Sequence, residues 1–201
     1  MQRLWLALPL LALTLALPAR AGGRLDALLG GAERLDSLEA FLARYVGRCT
    51  DIYERRTCEE NVARVRRAAQ GKVFAVRIAD AAPLVQARTA GDRFTILLTP
   101  FVDGGGLALT NGEPRSQDAE GHPQIGVIPI LGTLPPGTMD LDFQSPFRTG
   151  LVEMEIVFRP ERTWKLRRRG EAGFYEGVSA KFLAVRLVDG RTGAEIASKV
   201  L

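Results

Sequence analysis

The chain has 201 residues, of which 46% are hydrophobic and 25% are charged, and its formal net charge is +4. A chain of this length and composition can bury one sizeable core, so one domain with a helical appendage is expected. Residues 1–21 contain two arginines and no acid, and without them 25 basic side chains face 23 acidic ones. The remaining charge of +2 is too small to indicate a polyanionic partner by itself.

The first 21 residues predict a secretory leader. Arg3 precedes an apolar run that reaches Leu17, and the small-residue pattern Ala19-Arg20-Ala21 follows it. These are the three parts of a signal peptide, and the run is too short for a comfortable membrane span. We expect cleavage after Ala21, no lipid anchor because no cysteine follows the run, and no transmembrane segment in the mature chain. The predicted location is the periplasm or the extracellular space.

The two cysteines of the chain, Cys49 and Cys58, are nine positions apart between two helical patterns. In an exported chain such a pair most simply forms one disulfide, which stabilises by about 2–3 kcal/mol on the chain-entropy model. A redox pair usually has the C-x-x-C spacing, and a metal site needs further ligands that the neighbouring residues lack. A structural disulfide is therefore predicted.

Residues 22–71 are predicted to form a helical hairpin that this disulfide closes. An apolar stripe at helical spacing marks its first arm: Leu38, Phe41, Leu42 and Tyr45. Asp36 with Glu39, and Thr57 with Glu60, have the spacing of capping boxes, in which side chains satisfy the free N–H groups of a helix start. They predict where the two arms begin.

From residue 72 to residue 201 the apolar pattern alternates, and turn residues punctuate it. This predicts an antiparallel β-sandwich or a partly open barrel of about ten strands. The clearest strand places Val152, Met154, Ile156 and Phe158 on one face, with Glu153 and Glu155 on the other. The fold class is therefore α+β, mostly β.

One loop carries the single histidine of the chain together with two carboxylates. Asp118, Glu120 and His122 alternate, so an extended loop would place all three on one side, where they can hold a divalent metal. The same residue types also occur in ordinary solvated loops. No G-x-S-x-G nucleophile motif accompanies the histidine, which argues against acyl-transfer catalysis.

One concentrated basic run surrounds a tryptophan near the end of a predicted hairpin. Its candidate anion contacts are Arg162, Trp164, Lys165, Arg167, Arg168 and Arg169. In a cell envelope the corresponding anions are lipid headgroups, lipopolysaccharide or wall polymers, and nucleic acid is not expected. A solvated hairpin end explains the same pattern without a ligand.

The segment Leu98-Thr-Pro-Phe-Val-Asp-Gly-Gly-Gly106 and the following Asn111-Gly-Glu-Pro114 complete a layout of leader, cysteine-bearing helical hairpin and β domain. This layout resembles an uncharacterised family of exported bacterial proteins, a domain of unknown function, over the mature chain. The resemblance implies no activity, cofactor or site residue.

The residues favour an exported envelope module that binds a partner or has a structural role, without catalysis and without a cofactor. Two alternatives stay open. The first is an envelope hydrolase or metal-binding protein that uses the loop carboxylates and His122. The second is a carrier that holds a lipid or a small apolar ligand between its sheets.

Overall fold

The computed structural model describes residues 21–90, 93–99, 101–119, 121–133, 151–170 and 172–201. The predicted leader lies outside the described residues, except for its last residue, Ala21. The described part contains three α-helices and twelve strands. It is an α+β structure, mostly β, as the sequence predicts.

The helices are α1 (Ala21–Gly31), α2 (Leu38–Val46) and α3 (Arg55–Ala69). The Ser37 hydroxyl caps α2 by accepting a hydrogen bond from the Ala40 N–H at 3.1 Å, so the cap lies one residue after the predicted Asp36. Helix α3 begins two residues before the predicted cap, Thr57, and has no side-chain cap. The capping-box pattern therefore located the helices but not their first residues.

The strands form three sheets. The largest contains β1 (Glu33–Leu35), β2 (Phe74–Ile78), β5 (Phe101–Gly104), β6 (Leu107–Asn111), β10 (Val152–Arg167), β11 (Phe174–Asp189) and β12 (Glu195–Val200). The second contains β3 (Val85–Ala90), β4 (Arg93–Leu98) and β9 (Ile128–Thr133), and the third contains β7 (Ser116–Gln117) and β8 (Pro123–Gln124). A short 3-10 turn, Ala82–Leu84, precedes β3.

The largest sheet is mixed, so the prediction of a purely antiparallel sheet is wrong. Its order is β1-β2-β10-β11-β6-β5. Strand β12 also pairs with β11, at residues 184–188, whereas β6 pairs with residues 177–180. Strands β1 and β2 are parallel, as are β6 and β11, and the remaining pairs are antiparallel. The pairings of the described strands do not close into a barrel. Alternation reports which face of a strand is buried, but it carries no information on the direction of its neighbour.

The main core lies on one face of the largest sheet. Phe158 of β10, Phe74 of β2 and Phe41 of α2 form an aromatic cluster, with ring centroids 5.2–6.0 Å apart. The three-stranded sheet packs on the same face, where Ile96 and Ile130 join Met154 and Ile156 in one apolar cluster. Burial of these side chains supplies the main stabilisation of the fold.

The opposite face of the largest sheet has a smaller core under α1. Leu25 and Leu29 of α1 pack on Ala75, Val157 and Ala184. The helical segment thus places α1 and α2 on opposite faces of the sheet, because each helix has its own apolar stripe to bury.

The acidic face of β10 carries ion pairs next to this smaller core. Glu155 is buried and accepts from the Arg186 guanidinium, whose Nη2 lies 2.5 Å from Glu155 Oε2. Glu153 pairs with Arg77 of β2 in the same way. Glu155 is a buried carboxylate and needs such a partner, and the partly exposed Glu153 has one as well.

Helices α2 and α3 form the predicted hairpin, and the disulfide joins Cys49 to Cys58 with the Cα atoms 5.7 Å apart. Arg66 of α3 donates from Nε and Nη2 to the carbonyls of Tyr45 and Val46 at 2.9 Å each. These bonds satisfy carbonyls that have no partner inside α2 at its last turn. Burial raises the pKa of the Tyr45 hydroxyl, which donates to the carbonyl of Glu161 at 3.2 Å.

None of the helices in the described part of the chain is long and apolar enough to cross a membrane.

Candidate functional site

The closed end of the β10–β11 hairpin carries the densest basic segment of the chain. Arg167 is the last residue of β10, and Arg168 and Arg169 follow it in the turn to β11. Gly170 and Gly173 have φ angles of 73° and 110°, a region that side chains with a Cβ disfavour. The Arg168 N–H donates to the Gly173 carbonyl at 3.1 Å and closes the turn.

A side chain from a distant loop holds this turn in place. The Gln117 amide donates from Nε2 to the Arg167 carbonyl, and its Oε1 accepts from the Arg169 N–H at 3.1 Å. Gln117 lies in β7, about fifty residues earlier in the chain. One amide therefore satisfies two backbone groups on either side of Arg168, which fixes the turn without using any guanidinium.

The turn and the β7 strand line a wide-mouthed pocket of about 770 Å³. Its lining residues are Ser116, Gln117, Leu166, Arg167, Arg168, Arg169, Gly170 and Ala172. No carboxylate occurs among these described lining residues, whereas Glu171, next to them in the chain, lies outside the description. The described lining of the pocket is therefore basic.

The three arginines of the pocket differ in their surroundings. The Arg168 guanidinium carbon lies 4.5 Å from the centroid of the Tyr175 ring, a cation–π contact that orients its side chain. Arg167 and Arg169 are exposed, and within the described residues neither side chain has an ion-pair partner. Planar guanidinium groups in this setting can donate paired hydrogen bonds to a phosphate or carboxylate.

The other three residues of the predicted anion contacts lie elsewhere. Arg162 pairs with Glu113 at 2.5 Å, and Lys165 pairs with Glu176 at 2.7 Å. Trp164 is only 5% exposed, and its Nε1 donates to Thr110 Oγ1 at 2.9 Å. The structure therefore assigns Trp164 to the interior, where its ring also covers Gly177.

The packing of Trp164 has a local cause. A Cβ on Gly177 would lie 2.7 Å from the tryptophan ring and 2.2 Å from the Ala108 carbonyl, so only glycine fits under the ring. Trp164 and Gly177 are cross-strand partners in the β10–β11 pairing. In sequence, a tryptophan among basic residues looks like a surface contact, because the glycine that accommodates it is thirteen positions away.

The loop of the predicted metal site lies beside the same pocket. Asp118 Oδ1 accepts from the His122 N–H at 2.7 Å, and Oδ2 lies 3.3 Å from the Gln124 amide nitrogen. His122 Nδ1 is 3.5 Å from Asp118 Oδ2, and Glu120 lies outside the described residues. In the part of the chain that is described, no three potential ligands cluster around one point. Asp118 organises the turn between β7 and β8.

The loop of the predicted metal site and the predicted basic run lie next to each other in the structure. A Cβ on Gly121 would lie 3.6 Å from the Cβ of Arg169, so the histidine loop touches the basic turn. Ser116 and Gln117, which line the pocket, were not predicted. Neither residue type signals a site alone, and the contact that makes them relevant spans the sequence from β7 to β10.

An apolar cavity of about 210 Å³ lies between α2, α3 and the β1–β2 edge. Leu35, Phe41, Val65 and Phe74 line it together with the polar groups of Glu33, Arg44 and Lys72. Pockets for drug-sized ligands usually measure about 300–1,000 Å³, so this cavity has room for only a small apolar fragment. It lies between helices and sheet, whereas the predicted carrier would hold its ligand between two sheets.

The fold and the pocket define an α+β protein with a mixed sheet and a basic site at one end of its longest hairpin. Residues 1–199 match the model of a family of unknown function, DUF6066, and the chain belongs to that family. The predicted resemblance to an uncharacterised family is thereby confirmed. No curated protein and no solved structure matches the chain.

Proposed function

We propose that the protein is an exported binding module of the bacterial cell envelope and that it holds an anionic group at the pocket of Arg167, Arg168 and Arg169. The leader pattern of residues 1–21 supports export, and the pairing of Cys49 with Cys58 fits an oxidising compartment. The ligand class is a phosphate or carboxylate carried by an envelope lipid, lipopolysaccharide or wall polymer.

The observation that carries this proposal is the way in which the basic turn is held. Its backbone polar groups bond to Gln117, so the turn keeps its shape while the guanidinium groups of Arg167 and Arg169 extend from it. A turn whose backbone is already fixed loses little further conformational entropy when a ligand binds. A merely solvated hairpin end does not need such a clamp.

The described lining residues of the pocket include no pair of acid and base side chains for catalysis. Its described side chains with polar groups are arginines, Ser116 and Gln117, and Ser116 has no histidine among the described lining residues. Arginine stays protonated at physiological pH, so it binds and orients anions but does not transfer protons. Binding without a chemical step is the function that this residue set supports best.

The test is calorimetric titration of the purified protein with inorganic phosphate and with glycerol phosphate at low ionic strength. Arg167→Gln combined with Arg169→Gln should weaken binding by about tenfold or more, because each lost guanidinium removes charge-assisted hydrogen bonds. The matched control combines Arg34→Gln with Arg64→Gln, which removes the same charge from exposed positions on β1 and α3.

The control variant should bind within about twofold of the unchanged protein, because Arg34 and Arg64 do not line the pocket and cannot donate hydrogen bonds to its ligand. Equal weakening by both double variants would show that only net charge matters and would remove the pocket from the proposal. Absence of binding by the unchanged protein would remove the proposed function itself.

A further inference from the structure

The loop that the disulfide closes displays two apolar side chains directly to solvent. Ile52 is 77% exposed and Tyr53 is 98% exposed, and both lie between Cys49 and Cys58. Asp51 Oδ1 accepts from the Tyr53 N–H at 2.8 Å, which shapes a turn at the apex of the loop. Exposure of these two large apolar side chains to water is unfavourable, and the closed loop keeps them away from the core. Binding to a partner would remove their apolar surface from water.

A third exposed apolar side chain lies at the tip of the β10–β11 hairpin. Phe174 is 48% exposed, and the Lys165 ammonium group lies 4.4 Å from the centroid of its ring. Phe174 is the first residue of β11, directly after the turn that carries the three arginines. Apolar and basic side chains therefore lie close together at this tip.

Helix α2 directs the disulfide loop towards the same end of the molecule. Phe41 of α2 contacts Phe158, and Tyr45, one turn later, bonds to Glu161. The residues that follow α2 reach Glu176, near the hairpin tip. There Arg48, next to Cys49, places its Nε 2.9 Å from Glu176 Oε2. Lys165 Nζ lies 2.7 Å from the other oxygen of the same carboxylate. One carboxylate thus connects the disulfide loop to the tip.

The charge at this end is positive. Residues 48–56 contain three basic and two acidic side chains, and residues 165–176 contain four basic and two acidic ones. The two segments together therefore have a net charge of +3. One of these acids, Glu176, is already paired with both Arg48 and Lys165. The end of the molecule that displays Ile52, Tyr53 and Phe174 therefore attracts an anionic surface.

We propose that this end docks onto the surface of an anionic phospholipid bilayer, with Ile52, Tyr53 and Phe174 entering the interface. The arginine pocket then holds a lipid phosphate, so the inference rests on the proposed function and commits it to one source of the anion. Tyrosine is favoured at the level of the headgroups, and arginine keeps its charge in water while its stem covers apolar surface.

The shape of the patch favours a bilayer over a protein partner. The three apolar side chains lie at the apex of a loop and at the tip of a hairpin, which are protruding positions, whereas a protein hot spot usually lies in a packed pocket. Interfacial binding combines buried apolar area with attraction between basic residues and anionic lipids, and both components are present here.

The test is co-sedimentation of the purified protein with vesicles of phosphatidylglycerol and phosphatidylethanolamine, compared with vesicles of phosphatidylcholine alone. All variants are compared with the same N terminus, checked by intact mass, because retained residues 1–21 would themselves enter lipid. The unchanged protein should bind the anionic vesicles at least about tenfold better, and added salt should weaken that binding.

Two sets of substitutions separate the docking surface from general stickiness. Ile52→Ser combined with Tyr53→Ser, and Phe174→Ser alone, should each lower partitioning by about fivefold or more. The matched control is Leu151→Ser, an exposed apolar residue immediately before β10 and therefore at the opposite end of the hairpin, which should change little. Far-ultraviolet circular dichroism verifies that each variant is folded.

A fluorescence measurement gives an independent check of insertion. Tyr53→Trp should show a blue-shifted emission when anionic vesicles are added and should be quenched by brominated lipid, because the indole leaves water. Trp164 is buried and provides the unchanged background. Emission at position 53 that does not respond to vesicles would overturn the docking surface.

The outcomes distinguish the two proposals. If inorganic phosphate binds at the arginine pocket but neither vesicle type binds, bilayer docking is wrong and the proposed function stands. Equal binding to both vesicle types, or equal loss with Leu151→Ser, also overturns the docking surface. If inorganic phosphate does not bind the unchanged protein, the proposed function is wrong, and the docking proposal that rests on it is wrong as well.

Discussion

The two halves of the β10–β11 hairpin belong to the same pair of strands but have different surroundings. In the half that contains Val152 to Phe158, β2 and β12 flank the hairpin, α1 covers one face, and the second sheet covers the other. In the half that ends at Arg167 and Phe174, aromatic and basic side chains reach solvent. The first half is therefore buried on both faces, whereas the second half is buried around Trp164 and presents exposed side chains at its tip.

The largest expected effect is at the buried half. Phe158→Ala removes a ring that contacts Phe41 and Phe74, and it should lower the free energy of unfolding by about 3–5 kcal/mol. Urea denaturation followed by circular dichroism measures this change. Phe174→Ala at the exposed half is the matched control and should stay within about 0.5 kcal/mol. Similar losses in both variants would show that the two halves do not differ in this way.

Removal of the disulfide measures how much the covalent link stabilises the protein at its exposed end. Replacing Cys49 and Cys58 by serine should lower the free energy of unfolding by about 2–3 kcal/mol and leave the strand signal in circular dichroism unchanged. A reducing agent should destabilise the unchanged protein to the same extent and have no effect on the variant. The intact mass of the unchanged protein should be two hydrogens below its reduced value, and free thiols in protein purified from an oxidising compartment would contradict the disulfide.

Trp164 marks the border between the two halves. Trp164→Phe removes the indole N–H that Thr110 accepts, and it should lower the free energy of unfolding by about 1–2 kcal/mol. Its affinity for inorganic phosphate should stay within about twofold, because the ring does not line the pocket. A loss of affinity without a loss of stability would instead make Trp164 a ligand contact.

The smallest effect concerns the carboxylate that links the disulfide loop to the hairpin tip. A hydrogen bond from Lys165, with a further one from Arg48, holds the pKa of Glu176 below its ordinary value. Because the folded pKa is the lower one, Glu176 stabilises the protein above the unfolded pKa of about 4.3, and this contribution is lost as the pH falls through the folded pKa.

Glu176→Gln should therefore be less stable than the unchanged protein at neutral pH, by less than about 1 kcal/mol because the ion pairs are partly exposed. The difference should disappear as the solution is acidified below about pH 4. Urea denaturation over a pH series measures it. Glu59→Gln, on the exposed surface of α3, is the matched control for the loss of one carboxylate.

Features that depend on neighbours in sequence were predictable. The helical stripe of α2 and the alternation of β10 lie where local periodicity placed them. The disulfide followed from only two cysteines in a chain with a leader pattern. Each of these rests on residues within about ten positions of one another.

Features that depend on distant residues were not predictable. The parallel strand β1 lies inside the segment that was assigned to the helical hairpin, because its three residues are too few for an alternating pattern. Among local features, the cap of α2 is Ser37 and not the predicted Asp36, because two adjacent polar residues offer the same capping chemistry. Gly177 is needed to explain the burial of Trp164, and it belongs to the next strand.

The sequence by itself determined the mostly β class, the disulfide and the presence of one basic run, because each is written in composition or short spacing. The tertiary structure decided which basic residues share a pocket. The side chains of Arg162 and Lys165 pair with carboxylates, whereas Gln117 holds the backbone of Arg167 and Arg169 at the rim of an open space. That selection depends on a contact between β7 and the end of β10, and long-range pairing of this kind leaves no local pattern in the chain.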